Sequence, residues 1–244
     1  MRFPAPLIPG TLILREKRFL AHVRLDDGRE VIAHTNNTGA MRGCSTPGSR
    51  VWLSPAANPK RKLKWTWELI AIADSPASAE PVLACVNTTM PNALVAEAAR
   101  AGRLVGFEDW PDVRTEVRYG AEKSRIDVLL SRGDGEAGDR VWVEVKNVTL
   151  VEQSGAGAFP DAPTVRGRKH LRELGAMVQA GEKAALLFVV QRSDIVSVSP
   201  ADAVDPAYGE ELRRVAALGV DIRAVRADVS VEGVELAGPL PVIL

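Results

Sequence analysis

The apolar positions of this chain change their period once. Between Thr11 and Asp74 they come in short β-like runs, at 18–25, 30–35, 50–53 and 64–73, and none reaches the length of a helix. Runs of this length bounded by turn residues predict strands. Asp26-Asp27-Gly28 supplies the turn between the first two, and Pro47-Gly48 precedes the third. Short strands joined in this way predict a small closed barrel of the OB-like kind, which leaves no exposed edge. The Ser-Pro-Ala-Ser-Ala-Glu-Pro stretch at 75–81 reads as a linker and divides the chain into 1–80 and 81–244.

After the linker, helices alternate with strands. Thr89-Met90-Pro91-Asn92 opens a helix over 93–103, with Leu94, Val95, Ala98 and Leu104 on one side and Gly102 or Gly106 to end it. Strands follow at 115–119, 125–130 and 141–148, the last two joined by a loop over 133–138. Asp161-Ala162-Pro163-Thr164 supplies a proline and an N-cap for a second helix over 165–180, whose apolar stripe is Val165, Leu171, Leu174 and Val178. The nearly continuous apolar run 184–190 predicts a strand buried on both faces, with Gln191-Arg192 where it emerges. A further helix at 206–218 and strand at 220–225 complete an α/β second domain.

Two charges interrupt the apolar strand 141–148. Because strand residues alternate faces, Val141, Val143 and Val145 point one way, while Glu144 and Lys146 stand side by side on the other. A hairpin brings Asp127, at the start of the preceding strand, towards Glu144. Two carboxylates offer hard oxygen donors to Mg²⁺ (or Mn²⁺), and a neighbouring ammonium orients or deprotonates a water, which is equipment for phosphodiester hydrolysis. On spacing alone, Glu144 and Lys146 fit a solvated cross-strand ion pair as well. The order of elements favours the metal reading. It resembles the PD-(D/E)XK, or restriction-endonuclease-like, fold, in which the Asp begins one strand and Glu-x-Lys lies on the next. That resemblance implies that Asp127 and Glu144 ligate the metal with the Val145 carbonyl, that Lys146 positions the water, and that Glu116 or Glu97 adds a carboxylate. Ile126-Asp127 stands where the signature has Pro-Asp; the missing proline is not a ligand.

A chain that is 46% hydrophobic and 25% charged, with no apolar run near the roughly 20 residues a membrane helix needs, is neither disordered nor membrane-spanning. Pro4, Pro6 and Pro9 break any targeting helix at the start, so a cytoplasmic location is expected. Cys44 and Cys85 form no CxxC or Cys/His cluster, so neither a disulfide framework nor a zinc site is signalled. The zero net charge hides an asymmetry: residues 1–80 carry 12 Lys/Arg against 7 Asp/Glu. Lys60, Arg61, Lys62 and Lys64 precede Trp65 and Trp67, with Trp52 in the strand before. Cations hold phosphates and indoles stack on bases; tryptophans at alternate positions equally suit a barrel interior. Arg166, Arg168, Lys169 and Arg172 on the second helix meet a nucleic-acid backbone or face water, and Gln191 at the strand end is a further candidate contact. His34, Asn36, Asn37 and Thr38 form a polar turn at a strand end that could hydrogen-bond phosphate or base, and a structural Asx-type turn fits them better. His22 and His170 are isolated and take no catalytic role.

Several blocks also resemble the bacterial and archaeal sugar fermentation stimulation protein family, almost from end to end. They are Thr35-Asn36-Asn37-Thr38-Gly39-Ala40-Met41, Asn58-Pro59-Lys60-Arg61-Lys62-Leu63, the stretch from Val143 to Leu150, Phe159-Pro160-Asp161-Ala162-Pro163-Thr164 with Arg166-Gly167, and Val189-Val190-Gln191-Arg192. The resemblance implies an N-terminal OB-like domain, a C-terminal nuclease-like domain and nucleic acid, foremost DNA, as partner. Two functions follow: a Mg²⁺-dependent nuclease, or a non-catalytic DNA-binding regulator of sugar (maltose) metabolism.

Overall fold

The computed structural model describes residues 1–76, 78–120, 124–133, 139–152 and 155–244. Most of the expected 133–138 loop, and Ala77 of the expected linker, lie outside them.

The first strands are β1 (Ile8–Glu16), β2 (Leu20–Leu25), β3 (Glu30–His34), β4 (Arg50–Pro55) and β5 (Trp65–Ile72). β1 pairs antiparallel with β2 and β4, β2 with β3, and β4 with β5. Parallel pairing of Ala33 and His34 with Trp65 and Thr66 closes the ring, so the N-terminal domain is an OB-like barrel. Inward positions of the alternating runs fill it, among them Leu12, Val23, Val51, Leu53 and Ile70. Trp67 is fully buried there and donates its indole N–H to the Leu69 carbonyl at 2.9 Å. Of the two readings of the tryptophans, the interior one holds for Trp67, and Trp65 packs half-buried against the same core. β1 is absent from the runs read in the sequence because Pro9 and Gly10 interrupt its pattern. Gly10 is needed there: a Cβ would stand 2.7 Å from the Arg24 carbonyl of the crossing strand.

β6 (Val82–Cys85) extends the barrel sheet beside β5 and touches the second domain through Ala84 and Arg192. The second domain follows with α1 (Met90–Arg100), β7 (Asp112–Tyr119), β8 (Ser124–Ser131), β9 (Arg140–Val148), β10 (Leu150–Val151), β11 (Ala156–Phe159), α2 (Val165–Gln179), β12 (Lys183–Val190), β13 (Ser197–Pro200), α3 (Pro206–Ala217), β14 (Asp221–Val229) and β15 (Val234–Leu240). α1 begins earlier than the sequence pattern suggests, since Pro91 occupies its first turn, where no backbone N–H is needed.

The main sheet runs β15-β14-β12-β9-β8-β7, parallel at β9, β12 and β14 and antiparallel towards both edges. α1 covers one face, with Leu94, Val95 and Ala98 against Val128, Val143, Val145 and Leu187. α2 and α3 cover the other, with Leu171, Leu174, Leu212 and Val215 against Ile126, Leu129, Trp142 and Phe188. The alternation read in the sequence of β9 is therefore observed. Val141, Val143 and Val145 lie under α1, and Trp142 and Val148 with the charged pair face α2.

Buried polar contacts join the two domains. Arg192, 2% exposed, pairs with Asp194 at 2.6 Å and donates to the Thr149 carbonyl at 2.7 Å, while Ser75 of the linker donates to Asp194. Asn36 of the barrel donates to Asn87 at 2.6 Å and accepts from the Thr88 N–H at 3.0 Å, just ahead of α1. Among the described residues, no helix is long and apolar enough to cross a membrane.

Candidate active site

The described pairing of β8 with β9 runs from Ser131↔Arg140 to Val128↔Val143 and stops, so the strands part at Asp127 and Glu144. Asp127 spans the gap. Its Oδ2 accepts from the Val145 N–H at 2.7 Å, and its Oδ1 accepts from Asn92, in the first turn of α1, at 2.7 Å. Glu144 is 2% exposed. Its Oε1 accepts from Lys146 at 2.5 Å and meets Nδ1 of His170 on α2, while its buried Oε2 has no partner among the described residues.

The two carboxylates are pushed in opposite directions. Burial, reinforced by the nearby Glu144 charge, raises Asp127 to about 6, against the pull of Lys146, the Val145 N–H and Asn92. Burial is also the largest single influence on Glu144 and drives it upward, but Lys146 and His170 together outweigh it and hold Glu144 below the ordinary carboxylate value. Divergent environments for neighbouring carboxylates mark functional sites.

A cavity of 310 Å³ opens over this group. Asp127, Glu144, Lys146, Arg166 and His170 line it, together with Asn37 of the barrel, Thr88 and Asp161. Asp161 accepts from the Met41 N–H at 2.8 Å, which ties the barrel's 35–41 loop to the cavity rim. Within that loop Asn37 accepts from the Gly39 N–H at 3.0 Å, the Asx-type turn that the sequence suggests. A second cleft of 720 Å³ shares Asn92 and Asp127 with the first and is lined by Glu97 and Glu116. Glu97 is exposed and lies 3.7 Å from the Met1 amine. Glu116 is exposed at an irregularity in β7, with φ of 56°. Both carboxylates thus flank Asp127 from the α1 side and do not line the cavity that holds Glu144.

The remaining candidates separate by what they touch. Arg166 lines the cavity, whereas Arg168 pairs at 2.9 Å with Asp205, the N-cap residue of α3, and so joins two helices. Lys169 is half-buried on α2 and does not line the cavity. Gln191 is buried and donates at 2.9 Å to Asn147, which does line it. In the barrel loop Lys60 and Lys62 are exposed. Arg61 donates to the Leu63 and Trp65 carbonyls at 2.6 and 2.7 Å, and Lys64 donates to the Pro59 carbonyl at 2.6 Å, so both brace the loop.

Sequence reasoning passed over Asn92 and Asp161 as site residues and set His170 aside as isolated; the structure corrects the latter, since His170 meets Glu144 and Arg166. For His170 a signal exists, since it follows Arg166 by four residues and so shares its face of α2. The donor set suits a hard cation: among the described residues one buried carboxylate oxygen, Glu144 Oε2, has no partner, Asp127 lines the same cavity, and the Val145 carbonyl belongs to the same strand. Among the described residues no group of three or more His, Cys, Asp and Glu is arranged to hold a metal. Water and backbone oxygens would have to complete the shell, which is the habit of Mg²⁺.

A family model described as the SfsA N-terminal OB domain matches residues 13–78, and one described as the sugar fermentation stimulation protein RE domain matches residues 89–233. The sugar fermentation stimulation protein homolog of Geobacter metallireducens is 53% identical over 244 residues, which is 100% of both chains. That of Thioalkalivibrio sulfidiphilus is 50% identical over 100% of this chain and 98% of its own. Among solved structures, Pyrococcus furiosus SfsA in complex with Ca²⁺ matches with a TM-score of 0.86 at 26% identity, covering 100% of this chain and 98% of that one.

Proposed function

Because the chain belongs to the sugar fermentation stimulation protein family, we propose that its second domain is a PD-(D/E)XK-type catalytic domain and that the protein is a Mg²⁺- or Mn²⁺-dependent nuclease acting on DNA. The observation that carries this reading is the buried Oε2 of Glu144, without a partner among the described residues, next to Asp127 in the cavity where β8 and β9 part. The Ca²⁺ in the solved relative supports a divalent cation as the group these oxygens take. Asp127, Glu144 and the Val145 carbonyl would hold it. Once bound, it would supply positive charge against the scissile phosphate and acidify a water.

The chain's own groups do the rest. Lys146 and His170 keep Glu144 ionised, and Asn92 with the Val145 N–H fixes the plane of Asp127. Lys146, 15% exposed at the cavity floor, orients the attacking water. Arg166 at the wall meets phosphate oxygens, for which a guanidinium is suited. The exposed Lys60 and Lys62 hold backbone phosphates beside the barrel.

Three variants test the assignment. Asp127→Ala and Glu144→Ala should lose both cation binding and cleavage. Lys146→Ala should keep the cation and lose about 10² fold or more in cleavage rate, the scale of a positioning or acid–base group. If the carboxylate variants instead bind DNA more tightly and wild type has no cleavage to lose, the site is electrostatic only and the non-catalytic regulator remains.

A further inference from the structure

His170 touches three side chains, and their chemistry fixes which of its nitrogens carries the proton. Arg166 Nε is a donor only and points at His170 Nε2 from 3.4 Å, so Nε2 presents a lone pair. In the neutral ring the proton is then on Nδ1, which donates to Glu144 Oε1, its shortest contact; Lys146 Nζ, also a donor only, stands 3.4 Å from Nδ1 because both groups converge on that oxygen, and it donates to the oxygen and not to the ring. Lys146 supplies that same oxygen with a second donor. Oε1 is therefore saturated, while Oε2 of the same carboxylate has no partner among the described residues. The imidazole, 6% exposed, sits one helical turn after Arg166, so α2 carries both ends of the link.

We propose that His170 is a positioning residue with two separable tasks. Its Nδ1 turns Glu144 so that Oε2 alone faces the cation, and its Nε2 holds the Arg166 guanidinium at the cavity wall as a clamp for a backbone phosphate. The assignment rests on the metal-site reading above. Partners standing behind a metal ligand are typically worth about 10–100 fold in metal affinity. The four-residue spacing signals the link to Arg166, but the link to Glu144, 26 positions away, has no signature in the spacing of the sequence.

The tasks separate because the two amide side chains imitate different edges of imidazole. Asparagine places its NH₂ near the position of Nδ1, and glutamine places its amide oxygen near that of Nε2. Titration calorimetry with Mn²⁺ on the full chain reads the first task, and anisotropy of a labelled oligonucleotide in chelator reads the second. His170→Asn should keep Mn²⁺ affinity close to wild type and weaken oligonucleotide binding as far as Arg166→Ala does. His170→Gln should lose about tenfold or more in Mn²⁺ affinity and keep oligonucleotide binding. Arg166→Ala, at an exposed position, serves even where a His170 variant does not fold: it should weaken oligonucleotide binding and leave Mn²⁺ binding unchanged. Both readouts falling together in both His170 variants, or oligonucleotide affinity unmoved in Arg166→Ala, overturns the two-task assignment. Wild type that binds Mn²⁺ but cleaves nothing removes the nuclease reading and leaves this assignment intact; wild type that binds no Mn²⁺ removes both.

Discussion

The ionised Asp127 is costly to the metal-free fold, and a conservative substitution should show it. Asp127 rises from an ordinary 3.8 to about 6 on folding. At about 1.4 kcal/mol per unit, that shift puts the cost of its charge near 3 kcal/mol at pH 8. The sign follows from proton linkage: with the folded value raised, the protonated side chain's contribution is fully present below 3.8 and is lost as pH rises through about 6. Asp127→Asn removes the charge and keeps the geometry, because the new amide oxygen accepts from Val145 N–H while its NH₂ donates to a flipped Asn92 amide. For a chain of this size about 2–4 °C accompanies each kcal/mol. In chelator at pH 8 the variant should therefore unfold about 6–12 °C above wild type. Near pH 4 the difference should vanish. Added Mg²⁺ should stabilise wild type and not the variant, closing the gap from the other side. Thermal unfolding followed by circular dichroism across this pH range is the assay. An equal increment at pH 4 and pH 8, or a destabilised variant at pH 8, refutes the argument that burial drives the shift.

Further outcomes follow from the same structure. A proton on Asp127 competes with the cation, so calorimetric Mn²⁺ affinity should fall about tenfold per pH unit below 6 and level off above it, and a flat profile contradicts Asp127 as a ligand. Lys60→Ala with Lys62→Ala should reduce the slope of log affinity against log salt by about two, since both are exposed and free to meet phosphates, whereas Arg61→Ala should lower the unfolding temperature because Arg61 braces the loop. An unchanged slope removes the loop from the footprint. Asp194→Asn leaves Arg192 buried between the domains without its counter-charge and should cost about 3–5 kcal/mol in denaturant unfolding, and a loss below about 1 kcal/mol contradicts a structural role for the pair.

The parts of the fold legible in the sequence were those with long, regular periods. The alternation through 141–148 placed Glu144 and Lys146 together on the α2 face, and the β8 and β9 hairpin brought Asp127 to them. Pattern reading missed β6, β10, β11 and β13, which have two to four residues each and are defined by pairing with distant segments. It also missed β15, an edge strand interrupted by Gly238 and Pro239. The cavity wall was illegible for a related reason. Asn37, Asp161 and His170 belong to three separate elements and acquire a role only when the barrel loop docks on Asp161 and α2 packs on β9. Cations mislead in the opposite direction. Arg168 and Arg61 resemble phosphate contacts in sequence, but Arg168 is held by Asp205 and Arg61 by backbone carbonyls.

Cleavage by the wild-type chain tests the account most directly. Single-stranded, duplex and branched DNA, with RNA counterparts, would be incubated with Mg²⁺, with Mn²⁺ and with chelator, with Glu144→Ala prepared in parallel. The account predicts product from DNA with either cation, none with chelator and none from the variant. Absence of cation-dependent product from every substrate, or equal product from Glu144→Ala, contradicts it.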